Sequence, residues 1–115
     1  MATFLSTIRF TEQGIRNIAE TRRRADALKA AARKMGAKVR DIYWTLGAFD
    51  GAIVFDAPDD ETATALMLSL GSLGNIQTQT ARAFNAKEME GILSKVAAVA
   101  PRSVLPTSRA RKAES

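Results

Sequence analysis

The sequence predicts an α+β fold with four short strands. Four runs are rich in β-branched or alternating apolar residues: 3–10, 38–46, 51–57 and 75–84. Two longer segments, 12–35 and 60–73, repeat apolar residues every three or four positions, as amphipathic helices do. The order βαββαβ, followed by one more helix, predicts a ferredoxin-like sandwich with its helices on one face of the sheet.

The first half of this order follows from local patterns. Thr11 is placed to cap the first helical segment, and Gly36 to end it. A break is expected near residues 20–21. Alternation in the first strand puts one set of residues toward the helices: Phe4, Ser6, Ile8 and Phe10. The stripe predicted to be buried on the helical segment is Ile15, Ile18, Ala25, Leu28, Ala32 and Met35.

The second half is predicted in the same way. The glycine-containing stretch 47–50 indicates a hairpin loop between the second and third strands. Asp59 is expected to cap the next helix, and Asn85 with Glu88 has the spacing of a capping box for the last one. The predicted inner stripes of these helices are Ala63, Leu66, Met67, Leu70 and Leu73, then Met89, Ile92, Leu93 and Val96. In the fourth strand one face carries Ile76, Thr78, Thr80, Arg82 and Phe84.

Length and charge predict one domain over residues 1–100 and a flexible basic tail over 101–115. The tail holds +3 of the net charge of +5, together with two prolines and three serines. The domain itself is nearly balanced in charge, which argues against nucleic acid as its partner. A nucleic-acid role would have to depend on the tail and on the run Arg22–Arg24, which is interpreted as a solvated helix face.

The composition excludes several kinds of chemistry. The chain has no cysteine and no histidine, which excludes disulfides, thiolate nucleophiles and Cys-ligated metals and removes the usual general base. No metal site is predicted, and the cofactor is left open. The N-terminus does not resemble a signal peptide, and no apolar stretch is long enough to span a membrane, so a cytoplasmic location is expected.

A four-stranded sheet with helices on one face leaves its other face open. Adjacent strand residues point to opposite faces, so this open face would carry Leu5 of the first strand and either Tyr43 or Trp44 of the second. Part of the third strand would lie there as well. A sheet face that exposes aromatic residues to water is unfavourable unless another protein surface packs against it. A symmetric homodimer packed sheet to sheet is the predicted solution.

Several separated motifs occur along residues 3–95: FTEQG at 10–14, YWTLGAFD at 43–50, PDD at 58–60, Gly74-Asn75, Thr78, Thr80 and Arg82-Ala83-Phe84. Together, in this order, they resemble the GYD domain family. The tyrosine that gives the family its name is Phe49 here, which lacks the hydroxyl group. The resemblance implies a ferredoxin-like fold of the dimeric α/β-barrel type. By analogy of fold it also points to monooxygenases and small-molecule sensors.

Six residues are candidates for a ligand site. Asp50 is either the acceptor that closes the hairpin turn or an acid, base or ligand group in a pocket. Tyr43 would offer a hydroxyl group on an apolar body. Arg9 and Arg82 lie on strands predicted to be neighbours and either meet a common anion or pair with Asp41 and Asp56. Polar residues are dense on the fourth strand, where Thr78 and Thr80 complete the set.

Three functions remain open at this point. The first is a homodimer that binds a small molecule and acts as a sensor or accessory protein. The second is a small cofactor-poor enzyme, similar to a monooxygenase or isomerase, with a site built on Tyr43 and Asp50. No catalytic residue can be assigned from the sequence. The third is a nucleic-acid-associated protein that uses the basic tail.

Overall fold

The structure, a computed structural model, describes residues 1–99. The predicted tail at 101–115 lies outside the described residues. Backbone contacts divide the chain into a unit of residues 1–83 and a second unit that begins at Phe84. Each unit is described by itself.

The first unit has the predicted α+β architecture. It contains the strands β1 (Ala2–Phe10), β2 (Lys38–Trp44), β3 (Gly51–Ala57) and β4 (Ile76–Ala83). Its helices are α1 (Glu12–Arg16), a 3₁₀ turn (Ile18–Glu20), α2 (Thr21–Lys34) and α3 (Asp60–Ser72). All strand pairs are antiparallel in the order β2-β3-β1-β4. This order confirms the ferredoxin-like arrangement.

The hydrophobic core lies between one face of the sheet and helices α2 and α3. Phe4 and Phe55 stack at its centre with their ring centroids 5.4 Å apart. Alternation along β3 buries every second residue, which is the pattern of a strand with a single covered face. The buried helix residues are Leu28 and Ala32 from α2, and Ala63, Leu66 and Met67 from α3.

The structure corrects the start of the first helical stripe. Ile15 and Ile18 are exposed, at 56% and 42% of their surface. The reason is the 3₁₀ turn, which separates α1 from α2 and breaks the angular register of the stripe. The break predicted near residues 20–21 is confirmed, because α2 begins at Thr21.

Strand β2 is shorter than predicted and less regular. It ends at Trp44 instead of Leu46, and its register against β3 shifts between Val39 and Asp41. The loop that follows spans residues 45–50. The amide of Thr45 donates to the carbonyl of Asp50 over 3.0 Å, and this bond closes the hairpin loop.

The second face of the sheet carries no helix of this unit. The strand register places its residues in rows across the sheet, such as Asp41, Val54, Leu5 and Ala81. The next row is Tyr43, Ala52, Thr7 and Gln79. Leu5 is 42% exposed and Tyr43 56%. These residues, with their neighbours on the same face, are called the open face below.

The second unit contains helix α4 (Ala86–Val99). Its N-terminus has the predicted capping box. The amide of Asn85 donates to Glu88 Oε1 over 3.1 Å, and the amide of Glu88 donates to Asn85 Oδ1 over 2.8 Å. Across residues 1–99, none of the helices combines the length and apolar character needed to cross a bilayer.

Candidate functional site

Two of the stretches that resemble the GYD family, 10–14 and 74–75, meet in a structural junction between α1 and the start of β4. Thr11 Oγ1 accepts from the amide of Gly14 over 3.1 Å, which is the predicted N-cap, and donates to the carbonyl of Gly74 over 2.6 Å. The amide of Thr11 donates to the carbonyl of Asn75 over 3.0 Å. Gln13 Nε2 reaches the side-chain oxygen of Asn75 over 3.0 Å. These bonds hold the two segments at a fixed distance.

Asp50 serves a similar purpose at the hairpin. Its carboxylate Oδ2 accepts from the amide of Phe10 over 2.8 Å, and its own amide donates to the carbonyl of Ile8 over 2.7 Å. The loop therefore closes onto the end of β1. Gly47 adopts a φ of 127° in this loop, a conformation that favours glycine.

A cavity opens between the sheet and the two helices, next to both of these contacts. Its volume is about 60 Å³. Residues from all four strands, from α2 and from the end of α3 line it. The apolar part of the lining includes Ile8, Phe10, Leu28, Ile42, Trp44, Ile53, Leu70, Leu73 and Ile76. Besides the indole of Trp44, the lining among the described residues has three side chains with polar groups: Thr21, Arg24 and Asn75.

A groove between α2 and α3 adjoins this cavity. It has a volume of about 210 Å³ and shares Arg24, Leu28, Leu70 and Leu73 with the cavity. Ser69 is the one polar residue that the groove adds among the described residues. Arg24 therefore stands where the two spaces meet.

The guanidinium group of Arg24 is incompletely satisfied. Nη1 donates to the carbonyl of Asn17 over 3.0 Å. Nη2 is buried and has no acceptor within residues 1–99. A buried donor without a partner costs about 1–3 kcal/mol, and more when it is charged. The arrangement favours an acceptor that enters from outside the chain.

Trp44 forms one wall of the cavity. Its indole Nε1 donates to Thr21 Oγ1 over 3.0 Å, which joins the end of β2 to the first residue of α2. Tyr43 lies on the opposite side of the sheet, on the open face. The prediction that these two aromatic residues separate across the sheet is confirmed.

None of the six residues predicted as a ligand site belongs to the lining of the cavity. Arg9 and Tyr43 lie on the open face, and Asp50 lies in the hairpin contact. Thr78, Thr80 and Arg82 lie on the helix side of β4. Ligand binding by these residues stays a prediction.

Two of the polar residues of β4, Thr80 and Arg82, contact residues of β1. Thr80 Oγ1 shares a hydrogen bond of 3.0 Å with the buried Ser6 Oγ. The guanidinium group of Arg82 lies 5.8 Å from the centre of the Phe4 ring, within cation–π distance. Arg9 and Arg82 lie on opposite faces of the sheet, so they do not meet a common anion within one chain.

Of the two acids predicted to pair with the arginines, Asp56 has contacts with Thr3 and Arg40. Asp56 accepts a hydrogen bond of 2.7 Å from the Thr3 hydroxyl group and lies 3.7 Å from Arg40 Nε. No group of three acidic side chains placed to bind a metal occurs within residues 1–99.

Sequence reasoning missed Arg24 as a site residue. The run Arg22–Arg24 is interpreted from sequence as a solvated face, and Arg22 and Arg23 are indeed exposed. Arg24 is half-buried instead. The available signal was helical spacing, because Arg24 lies four positions before the core residue Leu28 on the same face of α2.

The fold and the cavity together define a small ferredoxin-like α+β protein with an apolar space between its sheet and its helices. The GYD domain family matches residues 4–93, and the chain belongs to this family. No curated protein matches the sequence.

Proposed function

We propose that this protein binds a small molecule in the cavity between its sheet and helices α2 and α3, and acts as a sensor or accessory protein. The observation that carries the proposal is an apolar lining interrupted by three polar residues, one of them the incompletely satisfied Arg24. Apolar walls with a few placed polar groups are the usual composition of ligand sites.

Binding is favoured over catalysis by the chemistry of the lining. Among the described residues the cavity contains no carboxylate, and its one hydroxyl group, that of Thr21, accepts the indole hydrogen of Trp44. The enzyme alternative relied on Tyr43 and Asp50. Tyr43 lies on the open face, while the Asp50 carboxylate accepts the Phe10 amide. The nucleic-acid alternative depends on a tail outside the described residues.

The proposal includes a homodimer formed by the open faces of two copies. Four strands spaced about 4.8 Å apart and about seven residues long give a face of roughly 450 Å² in plan. The combined plan area of two such faces is close to the lower limit of area buried in a specific interface, about 1,000 Å² in total. The side chains that protrude from each face would add to the buried area. Leu5, Val54 and Ala81 share one row across this face, and Tyr43 and Arg9 would face the partner copy.

The ligand proposal can be tested by filling the cavity. Ala25 lines it and is half-buried on α2, while Ala30 on the same helix is exposed. Native mass spectrometry of wild-type protein purified from its own cells should show a bound small molecule. The Ala25→Leu variant should lose this mass and Ala30→Leu should retain it. Retention of the same ligand by a folded Ala25→Leu variant would place the ligand elsewhere.

A further inference from the structure

We infer that the cavity takes a compact apolar carboxylic acid, whose carboxylate pairs with Arg24. The inference rests on the proposed function and names the class of ligand for that same site. It depends on the state of one guanidinium group and on the walls around it.

Arg24 has no acidic partner among the described residues. Glu20, four positions earlier, is placed with its carboxylate 3.2 Å from Arg23 Nη1. Within residues 1–99, the one acceptor that Arg24 contacts is the carbonyl of Asn17. Its second terminal nitrogen, Nη2, is buried and has no acceptor within residues 1–99. The positively charged Arg24 therefore lies beside an apolar cavity, and its Nη2 group still lacks an acceptor among the described residues.

A carboxylate fits this capacity better than other anions. The planar guanidinium fork matches the two oxygens of a carboxylate. A phosphate group carries more charge and more oxygens, which need further donors. The other polar groups of the lining are partly engaged already. The Thr21 hydroxyl accepts from Trp44, and the Asn75 side-chain oxygen accepts from Gln13.

The size and walls of the cavity define the rest of the ligand. The cavity volume of about 60 Å³ is smaller than the roughly 150 Å³ of a cavity that holds one benzene ring. A single ring or a short branched chain would therefore extend from the cavity into the adjoining groove of about 210 Å³, which shares Arg24, Leu28, Leu70 and Leu73 with it. Leu28, Trp44 and Ile53 would contact the apolar body of the ligand.

The experiment uses the single tryptophan of the chain as its reporter, because Trp44 lines the cavity. Tryptophan fluorescence is titrated with cyclohexanecarboxylate and, separately, with the neutral cyclohexanecarboxamide of the same shape. The wild type is expected to bind the acid about tenfold to a hundredfold more tightly than the amide, as for hydrogen bonds to charged groups. Arg24→Gln should abolish this preference.

Two further variants make the test specific. Arg23→Gln removes the same charge from an exposed position on the same helix and should keep the preference. Arg24→Lys keeps the positive charge but lacks the planar guanidinium fork, so it should retain part of the preference for the acid over the amide. Thermal unfolding of each variant shows whether it is folded.

The outcomes separate the two proposals. Equal affinity for acid and amide in the wild type would overturn the ion pair with Arg24 and leave ligand binding in the cavity standing. A preference that survives in folded Arg24→Gln would also overturn it. If neither compound changes the fluorescence, both the acid and the cavity as a site for compact ligands are rejected.

Discussion

At the scale of single residues, the motif positions are explained by backbone contacts. Asp50 accepts the amide of Phe10, and Thr11 bonds to both Gly14 and Gly74. Each contact satisfies a backbone group at the end of an element, where no ladder partner remains. The family motifs therefore identify the fold, while the cavity is lined largely by other residues.

The hairpin loop allows one comparison of two variants. Asp50→Asn should lower the free energy of unfolding by only about 1 kcal/mol, because the amide oxygen can still accept from Phe10. Gly47→Val should lower it by more, about 1–3 kcal/mol, since valine fits poorly at a φ of 127°. Urea unfolding of both variants measures the difference. A larger loss in Asp50→Asn would show that the charge of Asp50 has a role beyond the turn.

The close approach of α1 to β4 gives a second prediction. A Cβ atom at Gly14 would lie 2.0 Å from the carbonyl oxygen of Asn75. Gly14→Ala should therefore destabilise the protein by several kcal/mol, on the order of the larger mutational effects. Gly71 on α3 has open space around it, and Gly71→Ala should stabilise by about 0.5–1 kcal/mol. Chemical unfolding of the two variants checks this contrast, and equal effects would contradict it.

At the scale of elements, the sequence predicts best where alternation and caps agree. The predicted bounds of β3, 51–57, match the structure because a short apolar run begins at Gly51 after the loop and ends before Pro58. The end of β2 could not be predicted in this way. Leu46 continues the apolar run but is fully exposed, because the hydrogen bond from Thr45 to Asp50 closes the loop before it.

The cap of α3 gives a prediction about pH. Two hydrogen bonds from Thr62 hold the pKa of Asp59 below the usual 3.8. The bond from the Thr62 side chain has the larger effect, and the bond from its backbone amide has the smaller one. A carboxyl group whose pKa is lower in the folded state stabilises the protein at any pH above its pKa in the unfolded state. This contribution is lost as the pH falls through its pKa in the folded state. Asp59→Asn keeps a capping oxygen but not the charge.

Asp59→Asn should therefore melt below the wild type at neutral pH, and the difference should shrink as the pH drops below 3.8. Melting curves across this range measure it. An offset that stays constant with pH would show that the charge of Asp59 does not contribute to the cap.

At the scale of the whole molecule, the cavity is assembled from segments far apart in the chain. Its walls include Ile8, Leu28, Trp44 and Leu73, which lie on four separate segments of the chain. No local sequence motif therefore predicts the cavity. The 3₁₀ turn interrupts the helical stripe before α2, so the sequence signal that distinguishes Arg24 from Arg22 and Arg23 is its spacing of four positions from Leu28. The sequence does predict the open face, since alternation alone decides which strand residues point away from the helices.

The open face gives a prediction about assembly. Leu5→Glu places a charge within the row that also holds Val54 and Ala81 and should convert the proposed dimer into a monomer of 12.4 kDa. Leu68→Glu is the matched control, because Leu68 is exposed on α3. Sedimentation at micromolar concentration distinguishes the two. A monomeric wild type, or dissociation by Leu68→Glu alone, would contradict a dimer through the open face.

The position of a bound ligand distinguishes a site on the helix side of the sheet from one on the open face. Nuclear Overhauser effects from cyclohexanecarboxylate ring protons to the protein side chains report that position. Contacts with the indole of Trp44 and the methyl groups of Leu28 are expected, because both line the cavity beside Arg24. Contacts with Leu5 and Tyr43 instead, or none with the cavity residues, would contradict binding between the sheet and helices α2 and α3.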